Sequence, residues 1–249
     1  MSKPVIVIVP GAWHKPVVWH DVVQQLHTAG FEAIHVELRT VGSTTTPLHG
    51  LTDDVTAVQS VLGELALQGK KALLLGHSAG GLIGSNAIKD QDNVIGMIHM
   101  AAFVIPRGKA LLDLLGGKPL PWMEYKVSRS AIGDRVFGRQ EMLADVMFND
   151  LNAEEQKRWM TEMTHTSAAL FATPSGYEPW KNGMIPCACI FCAEDHALPF
   201  VVQQEMAAQL GPEAKAVTLE SGHCPFLSIP EQLVDAIQML EAPMRATYS

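Results

Sequence analysis

Residues 72–90 constrain the fold of this chain more than any other stretch. The apolar run Ala72-Leu73-Leu74-Leu75 reads as a buried strand, Gly76-His77-Ser78-Ala79-Gly80 follows at once, and Leu82 to Lys89 is compatible with a helix. G-x-S-x-G set between a strand and a helix is the pattern of a nucleophile elbow. To project its hydroxyl above a sheet, the serine must adopt a strained backbone conformation. The residues two before and two after it must then be small, or their side chains would collide with the adjoining strand and helix.

The rest of the chain supplies a sheet for such an elbow. Strand-like runs occur near 5–9, 33–38, 71–76, 94–100, 186–192 and 215–219, and helix-like segments near 17–29, 52–67, 80–90, 199–210 and 228–241. Near-continuous apolar strands interleaved with amphipathic helices predict an α/β fold: a mostly parallel open sheet of about six strands, with helices on both faces. Ser228-Ile229-Pro230-Glu231 has the spacing of a capping box for the last helix.

One interval breaks the alternation. Between Pro106 and Pro186 no strand pair is evident, while Gly116, Gly117, Pro119 and Pro121 punctuate helical pieces, one of them starting at Asn152 with Glu155 three residues on. The expectation is a core of 1–105 and 186–249 carrying a helical cap of 106–185. Met123, Met142, Met147, Met160, Met163 and Met184, with Trp122, Trp159 and Trp180, fall in this interval. Most would pack the cap onto the core, and some would line an adaptable apolar pocket beneath it.

Composition excludes several classes of function. A length of 249 residues with 47% hydrophobic and 18% charged residues describes a globular chain with ample core. A net charge of −8 and a pI near 5.6 argue against nucleic-acid or anionic-membrane partners, which need a basic face. No apolar run reaches the roughly 18 residues that span a bilayer. The strand-like Val5-Ile6-Val7-Ile8-Val9 begins too early to leave room for a leader, so a cytoplasmic location is expected. The sequence leaves oligomeric state open, a homodimer included. Cys187, Cys189 and Cys192 lie along one strand-like run, unlike thiolate zinc sites, which use C-x2-C pairs on turns. Buried, reduced thiols are expected instead. The chain has no H-E-x-x-H, no G-x-G-x-x-G after the first strand and no Walker A motif, so no metal or cofactor is expected.

A serine hydroxyl needs a base, and the base an orienting acid. In an architecture of this kind they follow in the order serine, acid, histidine, each in a loop after a later strand. Asp195 in Ala193-Glu194-Asp195-His196 and His223 in Ser221-Gly222-His223-Cys224-Pro225 fit that order. Glu194 is the nearest rival acid and His196 the nearest rival base, although His196 is too close to Asp195 in sequence to complete a triad across a sheet. His77 would pack under the elbow and His99 within a strand; His27, His35, His49 and His165 read as structural or exposed. An oxyanion formed at Ser78 needs two pre-aimed donors. The N–H of Ala79, at a helix N-terminus, would be one. The N–H of Ala12, in the loop Pro10-Gly11-Ala12-Trp13-His14, would be the other. The two loops should meet where strand order reverses. Trp13, His14 and Phe103 are candidate substrate contacts.

These motifs resemble the α/β-hydrolase superfamily, in particular its compact branch of plant methylesterases, hydroxynitrile lyases and small microbial esterases. The resemblance runs through Val9-Pro10-Gly11-Ala12-Trp13-His14, the elbow, His99-Met100-Ala101-Ala102-Phe103-Val104-Ile105-Pro106, Phe148-Asn149-Asp150-Leu151, and the acid and histidine loops. It implies the α/β-hydrolase fold, Ser78 as nucleophile, His223 as base, Asp195 as acid, and Ala12 and Ala79 as oxyanion donors. The chain departs from the branch in having Pro10-Gly11 where His-Gly is frequent. It also has Cys224 where hydroxynitrile lyases carry a lysine, so cyanohydrin cleavage by that route is not expected. The expected activity is hydrolysis of an ester or lactone of a small-to-medium, largely apolar molecule through an acyl-enzyme on Ser78. The alternatives are a diverted chemistry on the same triad (lyase, decarboxylase, cyclase or isomerase) and a ligand receptor with little turnover.

Overall fold

The computed structural model describes residues 2–126, 135–181 and 185–247. Strand β1 (Val5–Val9) is apolar and buried at every position, and such a strand is stable only between two covering layers. Strands β2 (Ala33–His35), β3 (Ala72–His77) and β4 (Val94–Met100) follow it, with helices α1 (His20–Thr28), α2 (Leu51–Leu67) and α3 (Gly80–Ala87) between or after them. After β4 come α4 (Leu111–Leu114), β5 (Met123–Lys126), β6 (Arg135–Gly138), α5 (Gln140–Phe148), α6 (Ala153–Glu162), β7 (Thr166–Ser167) and α7 (Ala168–Ala172). The chain then closes with β8 (Cys187–Cys192), α8 (Phe200–Ala207), β9 (Lys215–Leu219), α9 (Pro225–Ser228) and α10 (Pro230–Thr247).

Six strands form one sheet in the order β2-β1-β3-β4-β8-β9, and every pairing is parallel. Helices cover both faces, as read from the sequence. Gly84 of α3 abuts Leu74 and Met97, whereas Met244 of α10 abuts Gly96 beside Leu73; consecutive strand residues such as Leu73 and Leu74 point to opposite faces. Strand order reverses between β1 and β3, which leaves the loops after these two strands side by side.

The turn from β3 into α3 has the strain expected of it. Ser78 lies at φ 53°, a left-handed conformation that costs a residue with a Cβ on the order of 1–3 kcal/mol. Three backbone hydrogen bonds hold it there: Ser78 N–H donates to Met100 O at 3.2 Å, and Ser78 O accepts from Gly81 and Phe103 at 3.0 Å each. A Cβ on Gly76 would lie 2.8 Å from Gly80 O, and one on Gly80 would run into the Val9 and Pro10 carbonyls.

The interval between β4 and β8 is not the purely helical insert expected. It contains a three-stranded antiparallel sheet, β5-β6-β7. Its strands are two to four residues long, too short to show a period of two, and β6 and β7 pair across the whole of α5 and α6. Asn152 caps α6 as read, its Oδ1 accepting from the N–H groups of Glu154 and Glu155. Met184 lies outside the described residues. Two end effects also differ. Strand β2 stops at His35 rather than 38. Ser228 belongs to α9 and its Oγ is buried without a hydrogen bond, so it does not cap α10. No helix among the described residues is long and apolar enough to cross a membrane.

Two predictions follow from this packing. Gly80→Ala destabilises the protein by about 3 kcal/mol or more, because two carbonyls must move. Gly63→Ala, in mid-helix with nothing within 4 Å, stabilises it by about 0.5–1 kcal/mol; denaturant unfolding of both variants measures the contrast. The second concerns pH. Burial holds His14 down to about 3 and His35 and His99 to about 4, and pushes His77 well below its ordinary value. Below pH 6.5 the unfolded chain binds protons that these folded side chains refuse. Stability therefore falls as the pH drops from 6.5 towards about 4. Burial raises Asp54 to about 6, which opposes the trend by one proton above pH 4. Urea midpoints from pH 7 to pH 4 should decline steeply, and a flat profile would contradict the assignment.

Candidate active site

Four strands of the large sheet, β1, β3, β8 and β9, each end in one element of the site. From β1 the chain enters Pro10-Gly11-Ala12-Trp13, and from β3 the elbow. The two are in contact, since a Cβ on Gly11 would lie 2.8 Å from Ser78 Cβ. Strand β8 leads to Asp195 and β9 to His223. Ser78, Asp195 and His223 are respectively 6%, 4% and 2% exposed.

Asp195 and His223 form a buried pair, with Nδ1 of His223 2.8 Å from Oδ2 of Asp195. A carboxylate can only accept there, so Nδ1 carries the proton and the Nε2 lone pair remains available as a base. The carboxylate is itself fixed: Oδ1 accepts from the N–H groups of Ala197 and Leu198 at 2.8 Å each, and Oδ2 accepts from Gln203 Nε2 at 3.2 Å. Gln203 also bridges Cys192 and Leu198 through backbone hydrogen bonds. It locks the acid loop onto α8. Behind the imidazole, Nε2 of His77 donates to His223 O at 2.9 Å, and the His77 ring is buried against Trp19 and Phe226.

Ser78 and His223 line one small cavity together with Ala12, Trp13, Ala79 and Phe103. Its other walls are Ala197 and Leu198 of the acid loop and Leu111, Leu120, Trp122, Met123 and Phe171 from the interval between β4 and β8. The free volume is about 20 Å³, space for roughly one water molecule. No described lining side chain other than His223 is ionisable. The Ser78 hydroxyl makes no hydrogen bond to a described residue. In unliganded sites, catalytic contacts are commonly long and tighten only on substrate. The Ala12 and Ala79 amides donate to no other described residue, and both residues face the cavity.

Trp13 lies at φ 67°. Its N–H donates to Thr166 Oγ1 at 2.8 Å and its Nε1 to Val136 O at 2.9 Å, and its ring meets Trp122 edge-on at 5.0 Å. This left-handed turn sends the next residue elsewhere. His14, expected beside the substrate, does not line the cavity. It packs against Phe148 and Phe226, with Nε2 3.8 Å from Cys224 Sγ. The rival residues also sit apart. Glu194 meets its neighbours through its backbone, and His196 is exposed and paired with Asp145 at 3.1 Å.

Sequence reasoning missed Gln203, Leu111, Leu120 and Phe171, which come from separate elements and carry no motif. Of the methionines and tryptophans singled out in the interval, only Met123 and Trp122 reach the cavity among the described residues.

Comparison with known proteins places the chain in a family. A model of the alpha/beta hydrolase family matches residues 6–236. The chain is 28% identical over 247 residues to an alpha/beta hydrolase of Aspergillus novofumigatus, covering 96% of both chains. It is 23% identical over 237 residues to putative methylesterase 11 of Arabidopsis thaliana, covering 90% of this chain and 59% of that protein. Among solved structures, a pyrethroid hydrolase from Sphingobium faniae JZ-2 superposes with a TM-score of 0.80 at 25% identity, covering 98% of this chain and 100% of that one. With a matched region that runs through the elbow, the acid loop and the histidine loop, the chain belongs to the alpha/beta hydrolase family.

Proposed function

We propose that this protein is a carboxylic ester hydrolase that uses Ser78, His223 and Asp195 on an uncharged, largely apolar ester or lactone. The observation that carries the reading is the buried His223–Asp195 pair opening onto the same apolar cavity as the strained Ser78. Similarity to pyrethroid hydrolases over nearly the whole chain supports it.

In this mechanism His223 Nε2 takes the Ser78 proton as Oγ attacks the carbonyl carbon. Asp195 stabilises the imidazolium, which the neighbouring histidines do not oppose, since burial keeps His14 and His77 neutral. The Ala12 and Ala79 amides stabilise the tetrahedral oxyanion; the loss of one such donor costs about 2.7–4 kcal/mol in known cases. The imidazolium returns its proton to the leaving alcohol. Water, deprotonated by the same histidine, then releases the acid and frees Ser78. The described part of the interval between β4 and β8 acts as a cap over this reaction through Leu111, Leu120, Trp122, Met123 and Phe171, and a substrate larger than the resting cavity enters by displacing these side chains.

Ser78→Ala should lower kcat for a p-nitrophenyl ester by at least about 10³-fold, and Asp195→Asn by about 10⁴-fold through the wrong imidazole tautomer. Either variant retaining wild-type turnover would contradict the mechanism. Because the walls offer no counter-charge, an ester bearing a free carboxylate should show kcat/KM at least about 100-fold below its uncharged isostere. Equal rates on the two would contradict the apolar reading of the pocket.

A further inference from the structure

Three hydrogen bonds from one end of α5 reach both loops that hold the acid and the base. Asp145 Oδ1 meets His196 Nδ1 at 3.1 Å. One helical turn later, Asn149 Nδ2 donates to Glu194 O at 2.8 Å. The next residue, Asp150, accepts the Gly222 N–H on Oδ2 at 2.7 Å. His196 and Glu194 flank Asp195, and Gly222 immediately precedes His223.

We infer that the Asn149–Asp150 turn is a positioning clamp that sets the distance between Asp195 and His223, with Asp150 its main element. This inference rests on the triad reading given above. The two clamped loops leave adjacent parallel strands, β8 and β9, and are joined at their start by Glu194 N–H donating to Ser221 O at 3.0 Å; the turn adds a second tie, nearer the triad. Asn149 grips the first and Asp150 the second. Because the two residues are covalent neighbours, the loops cannot part without breaking one of these bonds. The Gly222 side of the contact leaves no slack: a Cβ there would lie 2.7 Å from Asp150 Oδ1 and would run into Asn149 Oδ1. Gly222 is thus held against the clamp from both directions. The 2.8 Å His223–Asp195 hydrogen bond depends on this spacing, and displacement of a catalytic group by about 1 Å costs on the order of 100-fold in rate. Asp150 does not line the cavity, so it acts through His223 and not on substrate.

The test compares Asp150→Ala, Asp150→Asn and Gly222→Ala with the wild type. A fluorophosphonate is used to measure the second-order rate of Ser78 modification. Kinetics with a p-nitrophenyl ester, thermal melting, and the downfield proton NMR signal of the His223 Nδ1–H complete the readouts. Asp150→Ala should lower kcat and the labelling rate together by about 10–100-fold, leave KM within about threefold, and shift or broaden the NMR signal. Asp150→Asn retains an acceptor of the same shape and should recover most of the lost rate, which a general loss of packing would not permit. Gly222→Ala should reproduce the Asp150→Ala defect from the other side of the contact, and it decides the matter if Asp150→Ala does not fold. Folded Asp150→Ala or Gly222→Ala protein with wild-type kcat and an unchanged NMR signal would overturn the clamp. So would an Asp150→Asn variant as slow as Asp150→Ala. Wild-type protein whose label does not map to Ser78 would instead refute the triad reading; the NMR signal would still report on the clamp.

Discussion

The carbonyls of Val9 and Pro10 occupy the space that a side chain at position 80 would need, and Ser78 Cβ crowds the position where Gly11 has no Cβ. This contact between the ends of β1 and β3 makes the site possible. Parallel neighbours 4.8 Å apart can bring their following loops into contact only if the side chains between them are removed. Glycine at 11, 76 and 80 removes them. With the two loops touching, the Ala12 and Ala79 amides can face one cavity and the serine can stand at its base. The strain at Ser78 is held by hydrogen bonds from β4 and the loop after it, so the geometry belongs to the sheet and not to the loop alone.

The electrostatics follow from how little else is charged nearby. Asp195 is buried but accepts from two backbone amides, a glutamine and the imidazole, enough to hold an anion away from water. His77 and His14 are close to His223 and are kept neutral mainly by burial, with its positive charge second. Within this cluster His223 is the imidazole that has a carboxylate partner. The apolar cavity walls keep the effective dielectric low, which in the proposed mechanism would strengthen each interaction made with a developing oxyanion.

What could be read from the sequence divides along the same physical line. The elbow, the Ala12 loop, Asp195 and His223 were legible because each is a local pattern, a strand end followed by a short turn with a chemically distinctive residue. The parallel sheet was legible from strands such as β1 and β3 that are apolar throughout. The β5-β6-β7 sheet was not, since its pairing joins residues about thirty positions apart through strands of two to four residues. Gln203 escaped for a related reason, since its partners are Asp195 and the backbone of Cys192 and Leu198, a set that leaves no local pattern; Asn149 and Asp150 were visible only as part of the Phe148–Leu151 motif, with no role attached. His14 was misplaced because nothing in Ala12-Trp13-His14 announces that Trp13 adopts a left-handed turn.

The central claim is that Ser78 becomes covalently acylated with His223 as its base. Rapid quenching of the protein during turnover of a slow ester, followed by peptide mass spectrometry, tests it most directly. The account predicts an added acyl mass on the peptide containing Ser78, formed and lost at rates consistent with kcat, and absent in His223→Ala. Turnover at the normal rate with no acyl mass on Ser78 at any quench time, under conditions where deacylation limits the rate, would contradict it.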